Sequence, residues 1–113
     1  MRDFRRQCNK EDTMCEWSFK IDTHQLNNPP TSCKFLAFHH HLAPASRSPF
    51  RSTCGYYRVG GTWSGQFGPG NGFTTLSVVD DEQRLMAFPA YTDAELEGGR
   101  VVKPDVDFAT ISF

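Results

Sequence analysis

Cys15-Glu16-Trp17-Ser18-Phe19-Lys20-Ile21-Asp22 decides the fold class. Cys15, Trp17, Phe19 and Ile21 point one way, and Glu16, Ser18, Lys20 and Asp22 the other. That is the period-two pattern of a strand with one face buried and one face wet. Asn27-Asn28-Pro29-Pro30 follows as a turn. Residues 32–39 then read as a second strand, whose apolar run implies cover on both faces.

Further along, Pro44, Ser46, Ser48, Pro49 and Ser52 mark residues 40–53 as a loop. A short strand is expected over 54–59 and another over Trp63–Phe67. Seven of the nine glycines lie between Gly55 and Gly72, and Gly68-Pro69-Gly70-Asn71-Gly72 is a pure loop sequence. Residues 73–80 are β-branched and strand-like. With 84–91 they predict a hairpin, in which Pro89 marks an edge or a bulge. Thr92-Asp93-Ala94-Glu95 has capping-box spacing, and Gly98-Gly99 supplies a stop, so one short helix is expected over 93–97. Residues 100–103 and 108–113 read as two final strands.

No long helical periodicity interrupts this series. Seven to eight short antiparallel strands with frequent turns predict an all-β fold, a compact β-barrel or sandwich. A length of 113 residues allows one domain. The expected organisation is a polar N-terminal tail over 1–12, tethered by Cys8, and a single β domain over 13–113. An aromatic content of 13%, with ten Phe, suits pleated surfaces.

The cysteines are Cys8, Cys15, Cys33 and Cys54. An even count in a short chain predicts two disulfides and an oxidising compartment. Their irregular gaps match no zinc ribbon, and no C-x-x-C redox pair is present. Four cysteines allow three pairings. In a meander of the first three expected strands, Cys15 and Cys54 start at the same end. That favours Cys15–Cys54 with Cys8–Cys33 and disfavours Cys15–Cys33. Met1-Arg2-Asp3-Phe4-Arg5-Arg6 leads into no hydrophobic stretch, so it is not expected to be a signal peptide. The expectation is a mature secreted, extracellular chain with an added Met1. No run is long and apolar enough for a membrane span.

Charge is asymmetric. Residues 1–58 carry nine Lys/Arg against five Asp/Glu, and residues 59–113 carry three against eight. No dense basic stripe results, so nucleic acid is not an expected partner. Two copies could meet basic face to acidic face, or through an exposed strand edge, as a homodimer. Interleaving of the halves in the fold would instead average the charges out.

Several clusters raise chemistry without committing to it. On a strand, His39 and His41 would share a face, and His24 could join them around a metal. No fourth ligand at suitable spacing accompanies them, so His39, His40 and His41 read as solvated and no metal is assigned. Asp80-Asp81-Glu82 sits at an expected hairpin turn and reads as three carboxylates in water rather than a hydrolytic pair. A small secreted ribonuclease or hydrolase would want His39 with Glu16, Lys20 and Arg58 on one sheet face. Nothing in the spacing demands that, so no catalytic residue and no cofactor is assigned. Tyr56, Tyr57, Trp63 and Phe67, beside Phe73, form the candidate binding surface: aromatics next to glycines can make a platform for sugar rings or a partner protein. The competing use of the same side chains is as core.

The stretch Trp63-Ser64-Gly65-Gln66-Phe67-Gly68-Pro69-Gly70-Asn71-Gly72-Phe73-Thr74-Thr75-Leu76-Ser77-Val78-Val79-Asp80 carries a resemblance. It continues through Ala87-Phe88-Pro89-Ala90-Tyr91-Thr92-Asp93 and on to Asp105. The chain resembles the small secreted cysteine-containing proteins of filamentous ascomycetes, among them elicitor-like proteins of Trichoderma. The resemblance covers Cys8 to about Asp105. It implies secretion, two disulfides, a β-barrel-like fold and a role at the plant–fungus interface. It implies no defined catalytic residue. The resulting expectation is an elicitor or effector, not an enzyme, whose partner is a plant receptor or cell-surface component. A carbohydrate-binding module for cell-wall polysaccharide is the alternative.

Overall fold

In the computed structural model, which describes residues 1–25, 28–39 and 43–113, the alternating stretch forms strand β2, Met14–Ile21. Cys15, Trp17, Phe19 and Ile21 are buried, as the alternation requires. β2 is the centre of a three-stranded antiparallel sheet, between β1 (Arg2–Cys8) and β3 (Thr31–Phe38).

β1 corrects the expectation of an N-terminal tail. Residues 2–8 look polar, yet Phe4 and Arg6 alternate inward on the strand and both are buried. One apolar residue among charges hides the period that Trp17 and Phe19 display openly. This also corrects the disulfide expectation. Once 2–8 pairs antiparallel with 14–21, Cys8 stands directly opposite Cys15, and those two are joined. Cys33 on β3 is joined to Cys54, which ends β4 (Phe50–Cys54). The first bond staples a hairpin. The second ties the two sheets together.

The second sheet runs in the order β4, β5 (Tyr57–Ser64), β6 (Phe73–Asp80), β7 (Leu85–Ala87), β9 (Ile111–Ser112). β8 (Ala90–Thr92) also pairs with β6. The two sheets face each other as a sandwich and do not close into a barrel. Their inner faces supply Phe4, Trp17, Phe19 and Cys33 on one side, and Phe50, Val59, Leu76, Val78 and Tyr91 on the other. Ring contacts cross the core: Phe4 stacks on Tyr91 at 3.9 Å between centroids, and Trp17 meets Phe50 at 4.8 Å.

Several expected boundaries shift. Residues 54–59 are not one strand: Cys54 ends β4, Tyr57 opens β5, and Gly55 (φ 59°) turns between them. The expected loop 40–53 contains all of β4 but Cys54, a strand that Pro49 and Ser52 disguise. The strand expected over Trp63–Phe67 is the end of β5 followed by a turn, closed by the Gly68 N–H on the Gly65 carbonyl at 3.0 Å. β6 has its expected limits. The strand expected after it divides around Phe88-Pro89 into β7 and β8, which pair with opposite ends of β6. Pro89 cannot donate, but its carbonyl accepts the Leu76 N–H at 2.7 Å, so the bulge keeps the ladder connected.

Helix α1, Asp93–Leu96, carries the complete capping box of Thr92 and Glu95. Gly98, at φ 71°, ends the helical stretch, a conformation glycine adopts without steric cost. Of the two final strands, only Ile111–Ser112 forms. Residues 100–110 instead cross the mouth of the sandwich as an extended strap. The Val102 N–H donates to the Phe4 carbonyl at 2.8 Å, and Phe108 meets Tyr91 edge-on at 5.7 Å. The basic and acidic halves do interleave, as Arg6–Asp93 and Arg58–Asp81 show.

Candidate recognition surface

The four aromatic candidates do not form one platform. Tyr57 and Trp63 stand near opposite ends of β5, about 20 Å apart at strand rise. Tyr56 sits at the tip of the β4–β5 turn and is 79% exposed. Phe67 is 65% exposed on the 65–72 loop and stacks on Phe73, with centroids 5.6 Å apart. The surface therefore divides into a Tyr56–Tyr57 end and a Trp63–Phe67 end.

At the second end, Trp63 is half-buried and fully engaged. Its indole N–H donates to Asp93 Oδ2 at 2.9 Å. The Arg47 guanidinium lies over its ring, 4.6 Å from the centroid. Arg47 is placed there by a short 3-10 helix, Ala45–Arg47. Asp12, in the β1–β2 turn, anchors that helix by accepting the Ser46 N–H at 2.9 Å. Gly72 lies against the indole so closely that a Cβ there would come 2.7 Å from Trp63 and 2.5 Å from Asp93. With one face under a guanidinium and its N–H spent, Trp63 ties the 65–72 loop, α1 and the 3-10 helix together.

At the first end, Tyr57 lines a groove of about 240 Å³ between the sheets. Ile21, Val78, Leu85, Met86, Pro89 and Phe108 make its apolar walls. Asp80 also lines it: of the three carboxylates at the β6–β7 turn, Asp81 and Glu82 are exposed as expected, and Asp80 is half-buried. Asp80 continues the inward series Thr74, Leu76, Val78 of β6 and stands opposite Tyr57. Its Oδ1 accepts the Glu82 and Gln83 N–H groups at 3.0 and 3.1 Å. Asp81 pairs instead with Arg58 outside the groove. Burial first, and the charge of Asp80 second, push the Tyr57 phenol above its ordinary range.

His24 guards the rim. Its Nε2 lies 2.9 Å from Asp107 Oδ1, and its Nδ1 lies 3.8 Å from Asp22 Oδ2. The hydrogen bond to Asp107, then the charges of Asp107 and Asp22, raise the imidazole above its usual value. Sequence reasoning missed both Asp80 and His24 as parts of one site. The parity of Asp80 with Leu76 and Val78 was the available signal. Nothing local links His24 to Asp107.

The other clusters are not assembled. His24 precedes β3 and His39 follows it, so eight strand residues separate them; His40 and His41 lie outside the described residues. Glu16, Lys20 and His39 belong to the first sheet and its edge, while Arg58 lies on the second, paired with Asp81. Cys8, Asp12 and Cys15 bring ligand atoms within 4.8 Å, but both sulfurs are consumed in the disulfide and offer no thiolate.

A family model described as Effector TSP1 matches residues 1–111. The chain belongs to that family. Among curated proteins, "Effector TSP1" of Hypocrea virens is 42% identical over 108 residues, covering 95% of this chain and 71% of the relative. An effector-like function and two disulfides on a β-rich frame follow for this TSP1-family chain. Among its described residues, no helix is long and apolar enough to cross a membrane.

Proposed function

We propose that the protein is a secreted effector recognised at the plant–fungus interface, acting by binding a host receptor or cell-surface component rather than by turning over a substrate. The observation that carries this reading is the family match across residues 1–111 on a frame closed by two disulfides, one within a sheet and one between the sheets. Such cross-links suit an oxidising space outside the cell, where they limit the unfolding that proteases exploit. The frame holds exposed loops at both ends, and Tyr56 and Phe67 give each end an exposed aromatic ring that a partner could bury.

Infiltration of the purified, oxidised protein into leaf tissue tests this. The expected result is induction of defence transcripts that is lost when the protein is reduced and alkylated. An inert oxidised protein that also fails to bind leaf cell-surface extract overturns the reading.

A further inference from the structure

The groove at the Tyr57 end combines two properties that select one kind of occupant. Its walls are largely apolar, and a half-buried carboxylate stands at their edge. Asp80 occupies an inward position of β6, where the series Leu76, Val78 continues toward the mouth. Its Oδ1 caps the following turn, and no cation among the described residues pairs with it. Of the charged groups around it, the Met1 ammonium lines the same groove and donates to the Val106 carbonyl at 3.0 Å. On β5, Tyr57 faces it and Arg58 is turned outward onto Asp81. On the β6–β7 turn, Arg84 donates to the Phe113 carbonyl at 2.7 Å and lies over the Phe113 ring. On the rim, Asp22 is paired with Arg2 at 3.3 Å, and Asp107 with His24. Among the described residues the mouth thus holds three carboxylates beside the Met1 ammonium and the His24 ring, and Asp80 is the carboxylate with no ion-pair partner.

We propose that this groove binds a basic segment of the host partner by taking up one lysine or arginine side chain. The aliphatic stem lies along Val78, Leu85, Met86 and Phe108, and the cation reaches Asp80 beside the Tyr57 ring. Long cationic side chains bury their methylenes on apolar surface while the charged head seeks a polar group. Here the polar group waits at the end of the apolar wall. The ring of Tyr57 adds a face on which a cation is favoured. The volume of about 240 Å³ suits one side chain and falls below the usual range of drug-sized ligand sites. The inference rests on the reading that the protein acts by binding.

The test uses the oxidised full chain and a short capped peptide with one arginine, compared with the same peptide carrying citrulline, its neutral isostere. Binding is followed by NMR amide shifts. The expected result is a set of shifts at Tyr57, Val78, Leu85 and Met86, with affinity about tenfold lower for citrulline, as for loss of a charge-assisted hydrogen bond. Asp80→Asn keeps the turn-capping oxygen and should lower affinity for the arginine peptide by a similar factor; Asp80→Glu should restore part of it. Equal binding of the citrulline peptide, or shifts confined to other surfaces, overturns the proposal. Wild-type protein that evokes the leaf response but ignores the peptide sinks the groove alone. Protein that takes the peptide in the groove but evokes no response sinks the effector reading alone.

Discussion

The Trp63 indole N–H and the Asp93 carboxylate are joined at 2.9 Å across 30 residues of sequence, and the same carboxylate takes Arg6 Nη1 at 3.3 Å on its other oxygen. Asp93 thereby connects the first strand of one sheet to the second strand of the other and to the start of α1. Arg6 is buried, lies over Trp17, and has no partner at Nε among the described residues.

Asp93→Ala removes the counter-ion of a buried guanidinium and leaves an indole N–H unpaired. Losing one partner of such a pair costs about 3 kcal/mol. The urea midpoint should fall accordingly with an unchanged m-value. A loss below about 1 kcal/mol would show that Asp93 is not the junction described.

The two disulfides should differ in weight. Cys33–Cys54 closes a separation of 21 residues and Cys8–Cys15 one of 7. Loop-closure entropy assigns them about 3.4 and about 2.5 kcal/mol respectively. The paired alanine variants should therefore rank in that order by thermal melting. The reverse order would mean that the hairpin staple, not the link between sheets, dominates.

Gly72→Ala places a methyl against Trp63 and Asp93 at distances no real side chain tolerates. Overpacking of this kind costs about 1–3 kcal/mol. It should also change Trp63 emission, because the indole must leave either Asp93 or Arg47. Native-like fluorescence and stability would contradict the close approach.

His24 titrates above its ordinary value because Asp107 accepts its hydrogen bond and Asp22 adds charge nearby. A raised folded pKa contributes stability that is fully present below the unfolded value of about 6.5 and is lost as pH rises through the folded value. Asp22 runs the other way. The His24 backbone N–H holds its carboxyl low, so its contribution is lost as pH falls through that lowered value. NMR titration of the His24 ring should show the upward displacement, and Asp107→Asn should reduce it. An unmoved titration in that variant would remove Asp107 as the cause.

Legibility in the sequence followed the strength of local pattern. Cys15 to Ile21 alternates with large apolar residues, and Phe73 to Asp80 is β-branched; both strands are evident by inspection. The Thr92–Glu95 capping box and the Pro89 bulge are equally local, since each depends on neighbours within a few residues. β1 was obscured because its inward positions include Arg6, an arginine buried by partners that lie far along the chain. β4 was obscured because Pro49 and Ser52 resemble a loop when their pairing strand is out of view.

The sequence by itself determined the all-β class, the oxidised cysteines, the short capped helix and the family resemblance, because each is written in residue identity or short-range spacing. Only the tertiary structure decided which cysteines pair, that the four aromatics separate to two ends, and that Asp80 faces an apolar groove while Trp63 is held under Arg47. Those outcomes depend on strand registry and on contacts such as Arg6–Asp93, between residues that meet only when the two sheets close upon each other.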